Sequence, residues 1–95
     1  MSDKEYFPEA VELPLEDVLD LHSFPPKEIK ILLNAYLDDA CEAGFPEVRI
    51  IHGKGIGVQR EIVRSVASKH PCVASVRSAS DGWGASIVIF ADKNG

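Results

Sequence analysis

The sequence predicts a two-layer α/β domain, in which two helices pack on one face of a four-stranded mixed sheet in the order β-α-β-α-β-β. Two long segments carry apolar residues at helical spacing, and four shorter apolar segments are bounded by turn-forming residues. Right-handed crossovers make the first three strands parallel, and the short last connection makes the fourth antiparallel to the third. The predicted strands cover residues 16–22, 47–52, 72–78 and 85–91, and the predicted helices residues 27–43 and 58–70.

The first helix has the clearest pattern. Pro26 suits its first turn, where a missing N–H costs nothing, and Gly44 followed by Pro46 suits its end. Acidic residues occupy the side that would face water. The apolar face consists of Ile29, Leu32, Leu33, Tyr36, Leu37, Ala40 and Cys41.

The second helix is predicted to be amphipathic with a basic outer face, and Pro71 ends it. Its apolar stripe consists of Val58, Ile62, Val63, Val66 and Ala67. Its basic face consists of Arg60, Arg64 and Lys69. We therefore expect this helix to offer positive charge on the side turned away from the sheet.

The 95 residues are enough for one domain with a modest core, which we place at residues 15–92. Residues 1–14 lack a sustained period and contain two prolines, so we predict a partly disordered arm, with Tyr6 and Phe7 as anchors. Residues 93–95 are a tail. The sequence indicates no oligomeric state.

The chain has no long apolar run and no signal-peptide pattern, which predicts a soluble cytoplasmic protein without a membrane partner. Cys41 and Cys72 are far apart and form no Cys-x-x-Cys pair. This spacing argues against a zinc ribbon or a disulfide scaffold. We therefore expect both cysteines to be reduced thiols that act as small hydrophobes.

The charges are divided unevenly along the chain. Residues 49–77 hold six basic side chains and one acidic side chain, whereas residues 1–47 hold three basic and twelve acidic ones. The formal net charge of -5 therefore hides a basic second half. Such a distribution favours a polyanionic partner on one face, although a solvated helix face also explains part of it.

A glycine-rich segment follows the second predicted strand and leads into the second helix. Gly53, Gly55 and Gly57 allow backbone angles closed to other residues, and Lys54 adds a positive charge. Free N–H groups at a helix N-terminus favour an anion such as phosphate, although a glycine-rich turn between a strand and a helix can also be only a connection. The segment matches neither the Walker loop nor the dinucleotide fingerprint, because Gly55 follows Lys54 and Val58 replaces the third glycine.

Three distant segments are predicted to meet at the carboxyl edge of the parallel strands, where ligands bind in open α/β sheets. Each carries polar or glycine residues that a reactive site needs. Asp20 and His22 are two residues apart on the first strand and so share one side of it. The segments are 20–22, 52–57 and 81–84.

The chain resembles the Smr domain, the small MutS-related domain, over about residues 17–90. The Leu-Asp-x-His motif of that family corresponds to residues 19–22, its His-Gly-x-Gly motif to residues 52–55, and Gly82-Trp83-Gly84 precedes a final apolar strand. The resemblance implies a fold similar to the C-terminal domain of bacterial translation initiation factor three. It also implies a role in nicking or cleaving DNA or RNA. Ser23 and Asp81 depart from the pattern, since many members have glycine there.

The candidate catalytic residues are Asp20, His22 and His52. Asp20 can act as a general base, a metal ligand or the orienting partner of a histidine, or it can cap nearby N–H groups. The histidines can transfer a proton or contact phosphate, or they can simply bond a carbonyl at a strand end. A divalent metal such as Mg²⁺ is a further candidate ligand, although no fixed spacing demands one.

The candidate residues for phosphate or nucleic-acid binding share a glycine-rich or basic character. Trp83 can stack on an unpaired base or cover the edge of the core, and Arg60 and Arg64 can follow a phosphate backbone or be solvated. His70 is excluded from the site, because a cation simply suits the end of a helix. The set is Gly53, Lys54, Gly55, Gly57, Arg60, Arg64, Gly82, Trp83 and Gly84.

These observations give three functional hypotheses. The first is a nucleic-acid-binding domain with endonuclease activity on branched or single-stranded DNA or RNA, acting in DNA repair, recombination or RNA processing. The second is a module that recognises nucleic-acid structure without cutting. The third is a domain that binds a small molecule or mediates protein interaction, for which no salt-sensitive binding of a polyanion is expected.

Overall fold

The computed structural model describes residues 15–53, 57–80 and 84–91. Its elements follow the predicted order of strands and helices. They are β1 (Val18–Asp20), α1 (Pro26–Ala43), β2 (Glu47–Ile51), α2 (Val58–Lys69), β3 (Val73–Ser78) and β4 (Ala85–Phe90). The predicted arm at 1–14 and the tail at 93–95 lie outside the described residues.

The four strands form one mixed sheet in the order β1-β2-β4-β3. β1 pairs with β2 in parallel, and β4 lies antiparallel to both β2 and β3. The first three strands therefore point the same way and the fourth runs back between two of them. This confirms the predicted fold class and places the carboxyl ends of β1 and β2 side by side.

β1 is shorter than predicted, and the reason lies in Asp20. Hydrogen bonds to β2 extend one residue beyond each end of β1, from the Arg49 N–H to the Asp17 carbonyl and from the Leu21 N–H to the Ile51 carbonyl. The Asp20 carboxylate then accepts the N–H of His22 at 3.0 Å. This side-chain bond turns the chain away from the sheet, as such local bonds do at turns.

Both faces of the sheet bury apolar side chains. The larger cluster joins α1 and α2 to the inner face, with Val48 and Ile50 from β2 and Val88 and Phe90 from β4. Alternate residues of the same strands point to the opposite face, as strand geometry requires. That second, smaller cluster consists of Ala79, Ala85 and Ile87 with Ile51 and Ile89 packed against them.

The two ends of α1 follow the sequence signals. Pro26 occupies its first turn, and Gly44 takes the left-handed conformation with φ 84° at its end. The N–H groups of Gly44 and Phe45 donate to the carbonyls of Cys41 and Ala40, which satisfies acceptors that a helix end leaves open. These terminations fix the path of the chain into β2.

The expectation of reduced thiols is wrong for this structure, because Cys41 and Cys72 form a disulfide with their Cα atoms 6.3 Å apart. Cys41 lies in the last turn of α1, and Cys72 directly precedes β3. Helix packing brings these sequence-distant positions together, which spacing along the chain does not reveal. The bond ties the first helix to the outer edge of the sheet.

His70 lies beside this disulfide and is buried. Its Nδ1 accepts the N–H of Cys72 at 3.1 Å, and its Nε2–H donates to a carboxylate oxygen of Asp38 at 2.7 Å. Both ring nitrogens therefore hold the junction between α2 and β3 against α1. His70 therefore lies between the end of α2 and the start of β3, whereas Asp20 and His52 lie at the carboxyl ends of β1 and β2.

Among the described residues, no helix combines the length and the apolar character that crossing a membrane requires.

Candidate functional site

Asp20 and His22 form a hydrogen-bonded pair at the end of β1. The ring Nδ1–H of His22 donates to Oδ1 of Asp20 at 2.5 Å, and the same oxygen accepts the His22 backbone N–H. Their side chains are 49% and 59% exposed, respectively, so the pair faces solvent. The His22 side-chain hydrogen bond, followed by the backbone one, lowers the pKa of Asp20.

The glycine-rich segment begins beside this pair. Gly53 follows β2 with φ 87°, a left-handed angle that favours glycine. A Cβ atom added there would lie 3.4 Å from the Cβ of His22. The second and first predicted segments are therefore in van der Waals range of each other.

Gly84 brings the third segment to the same place. Its carbonyl accepts two hydrogen bonds of 2.9 Å, from the N–H groups of His52 and Gly53. Its φ of 67° also lies in the left-handed region. The described parts of all three predicted segments thus meet at one edge of the sheet.

His52 differs from His22 in being buried, with 3% of its surface exposed. Its Nδ1 lies 3.0 Å from the Gly53 carbonyl oxygen, and its Nε2 lies 3.0 Å from the hydroxyl of Ser86. Both ring nitrogens therefore have partners inside the molecule. The two predicted catalytic histidines share an edge but have opposite exposure.

The N-terminus of α2 completes this edge. Gly57 precedes the helix with φ 90°, and no side chain of the described residues caps it. The first-turn N–H groups are thus available to an anion, and the helix dipole adds to the attraction. A cavity of about 310 Å³ opens here, lined by Pro26, His52, Gly53, Gly57, Val58, Gln59 and Arg60.

Gln59 connects the start of α2 to the turn after His22. Its side-chain N–H donates to the Phe24 carbonyl at 2.7 Å. This bond holds the first turn of α2 against the turn that follows His22. Gln59 was not among the sequence-predicted site residues, and only its position two residues after Gly57 could have suggested it.

The basic side chains of α2 are less tightly placed. Arg60 lines the cavity and lies 3.9 Å from a carboxylate oxygen of Glu61, a loose and exposed contact. Arg64 is one turn further along the helix and half-buried. Lys54, Gly55, Gly82 and Trp83, which the sequence also assigned to the site, lie outside the described residues.

No group of three or more His, Cys, Asp and Glu side chains within 15–53, 57–80 and 84–91 is arranged to hold a metal ion. Asp20 and His22 provide two such side chains. His52 does not join them, because its ring nitrogens bond Gly53 and Ser86.

Chemically, this edge combines an exposed carboxylate–imidazole pair with backbone N–H donors at a helix N-terminus. A carboxylate–imidazole pair can accept or give a proton, and the donors favour negative charge. The fold is that of a small α/β domain with an exposed carboxylate–imidazole pair and a helix N-terminus at one edge of its sheet.

A sequence model of the Smr domain matches residues 19–91, most of the chain. The chain therefore belongs to the Smr domain family, which confirms the resemblance seen in its motifs. The match extends from the first residue of the Leu-Asp-x-His motif to the end of β4.

Two curated relatives support this membership. The "Endonuclease MutS2" of Clostridium novyi is 42% identical over 66 residues, which cover 70% of this chain and 8% of that protein. The "Endonuclease MutS2" of Clostridium beijerinckii is 36% identical over 81 residues, or 85% of this chain and 10% of that protein. The chain thus spans about a tenth of these relatives.

Two solved structures share the fold. The Smr domain of Thermus thermophilus MutS2 superposes with a TM-score of 0.73 at 26% identity, covering 79% of this chain and 98% of that one. YdaL, a stand-alone small MutS-related protein from Escherichia coli, gives a TM-score of 0.69 at 25% identity, covering 87% and 70%.

Proposed function

We propose that this domain binds nucleic acid at the carboxyl edge of β1 and β2 and hydrolyses a phosphodiester bond there. The observation that carries the proposal is the exposed Asp20–His22 pair, which lies in contact range of the glycine segment at Gly53. An acid–base pair next to an anion-binding helix N-terminus supplies two of the contributions that favour phosphodiester hydrolysis.

The binding part of the proposal depends on the N-terminus of α2. Backbone N–H groups after Gly57 would bond the phosphate oxygens, and the helix dipole would add to the attraction. Arg60 lines the same cavity. Arg64, one turn further, would contact the next phosphate along the backbone. The surplus of positive charge in residues 49–77 supports this path.

The chemical part depends on which nitrogen of His22 is free to react. Asp20 accepts the Nδ1–H, so Nε2 of the neutral ring keeps its lone pair. Nε2 can take a proton from water as its oxygen forms a new bond to phosphorus. The P–O ester bond breaks, and the imidazolium can return a proton to the leaving oxygen. Asp20 orients the ring and stabilises its charged form, as a carboxylate does in a triad.

The named activity of relatives agrees with this chemistry. Two of them carry the name "Endonuclease MutS2". The specific form of the proposal is therefore that this chain nicks branched or single-stranded DNA or RNA. It would do so in DNA repair, recombination or RNA processing in the cytoplasm.

A second candidate function is recognition of nucleic-acid structure without cutting. It is favoured by one observation: the matched region is only 8% to 10% of the curated relatives, so an activity of the whole relative need not reside in it. Under this alternative the Asp20–His22 pair would bond phosphate or a base and transfer no proton.

A cleavage assay separates the two candidates. Nicked, branched and single-stranded DNA and RNA would be incubated with the 95-residue chain, in Mg²⁺ and in a metal chelator. We expect His22→Ala and Asp20→Asn to slow cleavage by about a hundredfold or more, because general acid–base catalysis contributes at least that much. The matched control is Asp39→Asn, an exposed carboxylate near the other end of α1.

Equal cleavage by the wild type and both site variants would point to a contaminating nuclease and reject the catalytic role. Binding without cleavage in every condition would favour the second candidate.

A salt titration tests the binding face separately. If Arg60 and Arg64 each contact a phosphate, Arg60→Gln and Arg64→Gln should each lower the slope of log affinity against log salt by about 1. The control is Arg77→Gln, which removes the same charge from β3 at a position paired with Ile87, on the other face of the sheet. If Arg77→Gln lowers the slope of log affinity against log salt by the same amount, the nucleic acid does not bind specifically along α2.

A further inference from the structure

Ser86 is a polar residue in an otherwise apolar strand. β4 reads Ala-Ser-Ile-Val-Ile-Phe, and Ser86 shares the inner face with Val88 and Phe90 because they alternate along the strand. Its surface is 0% exposed. Burying a hydroxyl without a hydrogen-bond partner costs free energy, so the partner of the Ser86 hydroxyl has to be identified.

That partner is the ring of His52. Nε2 of His52 lies 3.0 Å from the Ser86 hydroxyl oxygen, and Nδ1 lies 3.0 Å from the Gly53 carbonyl oxygen. A carbonyl oxygen only accepts, so Nδ1 carries the proton. In the neutral ring Nε2 then accepts from the Ser86 hydroxyl. The Gly53 carbonyl, which only accepts, and the Ser86 hydroxyl, which donates to Nε2, thus favour the same tautomer.

The selected tautomer holds the backbone of Gly53. The His52 ring bonds the Gly53 carbonyl, and the Gly84 carbonyl accepts the Gly53 N–H at 2.9 Å. Gly53 is therefore held on both sides, at a left-handed φ of 87°. Because the peptide bond is planar, holding this carbonyl also sets the plane in which the chain leaves Gly53.

We propose that Ser86 is a positioning residue for the end of β2: its hydroxyl keeps the His52 ring in the tautomer that holds the Gly53 carbonyl, and so fixes the backbone that lies beside the Asp20–His22 pair. The inference rests on the proposed function for its binding consequence. It also gives His52 a role distinct from His22, since the buried ring shapes the loop and the exposed ring transfers the proton.

The experiment compares the 95-residue wild type with Ser86→Ala and Ser86→Cys. The cysteine is close to serine in size, but its thiol is a weak donor. Ser78→Ala is the matched control, because Ser78 pairs with Ser86 in register but is exposed. Circular dichroism would confirm that each variant is folded at the temperature of measurement.

The first readout needs no nucleic acid. Long-range ¹H–¹⁵N correlation spectra of the histidine rings should show wild-type His52 with a protonated Nδ1 and an acceptor Nε2. In Ser86→Ala and Ser86→Cys the ring should mix tautomers, and the backbone amides of Gly53 and Gly57 should shift. Ser78→Ala should leave all of these signals unchanged.

The second readout is affinity for a fluorescein-labelled single-stranded DNA oligonucleotide. Loss of one net hydrogen bond in the support of the loop predicts an affinity about fivefold lower for Ser86→Ala. Ser86→Thr, which keeps the hydroxyl, should recover most of it. Simple loss of packing would lower stability without changing the tautomer.

The outcomes separate this inference from the proposed function. Unchanged tautomer and unchanged glycine amides in Ser86→Ala and Ser86→Cys overturn the positioning role, whatever the affinity. Altered ring and amide signals with full affinity overturn the link between the loop and phosphate. A wild type that binds no DNA rejects the proposed function, while the ring and amide signals still decide the role of Ser86.

Discussion

His22 and Gly53 lie against each other although they are thirty-one positions apart in the chain. A methyl group on Gly53 would sit 3.4 Å from the His22 Cβ, and Gly53 has a φ of 87°. A Cβ at Gly53 would thus be in ordinary van der Waals contact with His22, and it is the left-handed φ that favours glycine at this position. The contact joins the two motifs that carry the proposed chemistry.

Gly53→Ala should lower the free energy of unfolding by about 1 kcal/mol, because alanine disfavours the left-handed conformation. Gly44→Ala is the matched control, since its φ is 84° and nothing lies within 4 Å of an added Cβ. Urea denaturation should give similar losses for both variants. Only Gly53→Ala should shift the His22 ring resonances, and unchanged resonances would show that the contact is absent in solution.

The Asp20 carboxyl should titrate below its ordinary pKa of 3.8, because His22 bonds its ionised form. His22→Gln should move the pKa up toward that value, although the backbone N–H bond keeps part of the shift. Carboxyl ¹³C shifts followed against pH measure both values. Ser23→Ala is the control and should leave the Asp20 midpoint in place.

The sign of the linked effect follows from the direction of this shift. An aspartate whose folded pKa is depressed stabilises the fold above its unfolded pKa, and this contribution disappears as pH falls through the folded pKa. Because Asp20 is about half exposed, we expect a small effect. If the Asp20 carboxyl titrates with the same midpoint in the wild type and in His22→Gln, that result would contradict the hydrogen bond between Asp20 and His22.

Tyr36 should ionise only at high pH. Burial, followed by the negative charges of Asp17 and Glu16, raises its pKa to about 12. A raised tyrosine pKa stabilises the fold below the unfolded value of about 10, and this contribution is lost as pH rises toward and through 12. Near-ultraviolet absorbance in a Tyr6→Phe background, where Tyr36 is the remaining tyrosine, measures the midpoint.

Tyr36 also bonds the segment that precedes β1. Its hydroxyl donates to the Glu16 carbonyl at 2.5 Å. Tyr36→Phe should lower the free energy of unfolding by about 1 kcal/mol, the typical net value of one such bond. If urea denaturation gives the same free energy of unfolding for the wild type and Tyr36→Phe, water replaces the hydroxyl as a partner of the Glu16 carbonyl at no cost.

Reduction of the Cys41–Cys72 bond should lower the free energy of unfolding by about 3–4 kcal/mol, the loop-entropy expectation for a separation of 31 residues. Urea denaturation with and without reductant measures it. The double variant Cys41→Ala, Cys72→Ala is the control and should not respond to reductant. Free thiols detected by mass spectrometry of the oxidised, alkylated protein would contradict the bond.

Local patterns were sufficient to predict most of the fold. The helical spacing of residues such as Leu33 and Leu37, with Pro26 and Gly44 as signals at the two ends, placed α1 correctly. Parallel and antiparallel directions followed from the lengths of the connections. These features depend on neighbouring residues or on chain topology, which a single sequence contains.

The disulfide and the support of the loop depend instead on tertiary packing. Cys41 and Cys72 meet only because α1 ends beside the start of β3, whereas the expectation of reduced thiols came from their distance along the chain. The sequence could have suggested a special role for Ser86, because it is the polar residue that alternates with Val88 and Phe90 on one face of β4. Its hydrogen-bond partner, His52, could not be identified from the sequence, because the burial of His52 depends on several strands.

The bond between Cys41 and Cys72 turns the intervening chain into a closed covalent ring. That ring includes β2, the glycine-rich segment and α2. A protease that cuts the backbone once anywhere inside the ring would leave two pieces of one molecule, still joined through sulfur. On a gel such nicked protein would run as intact until a reducing agent is added.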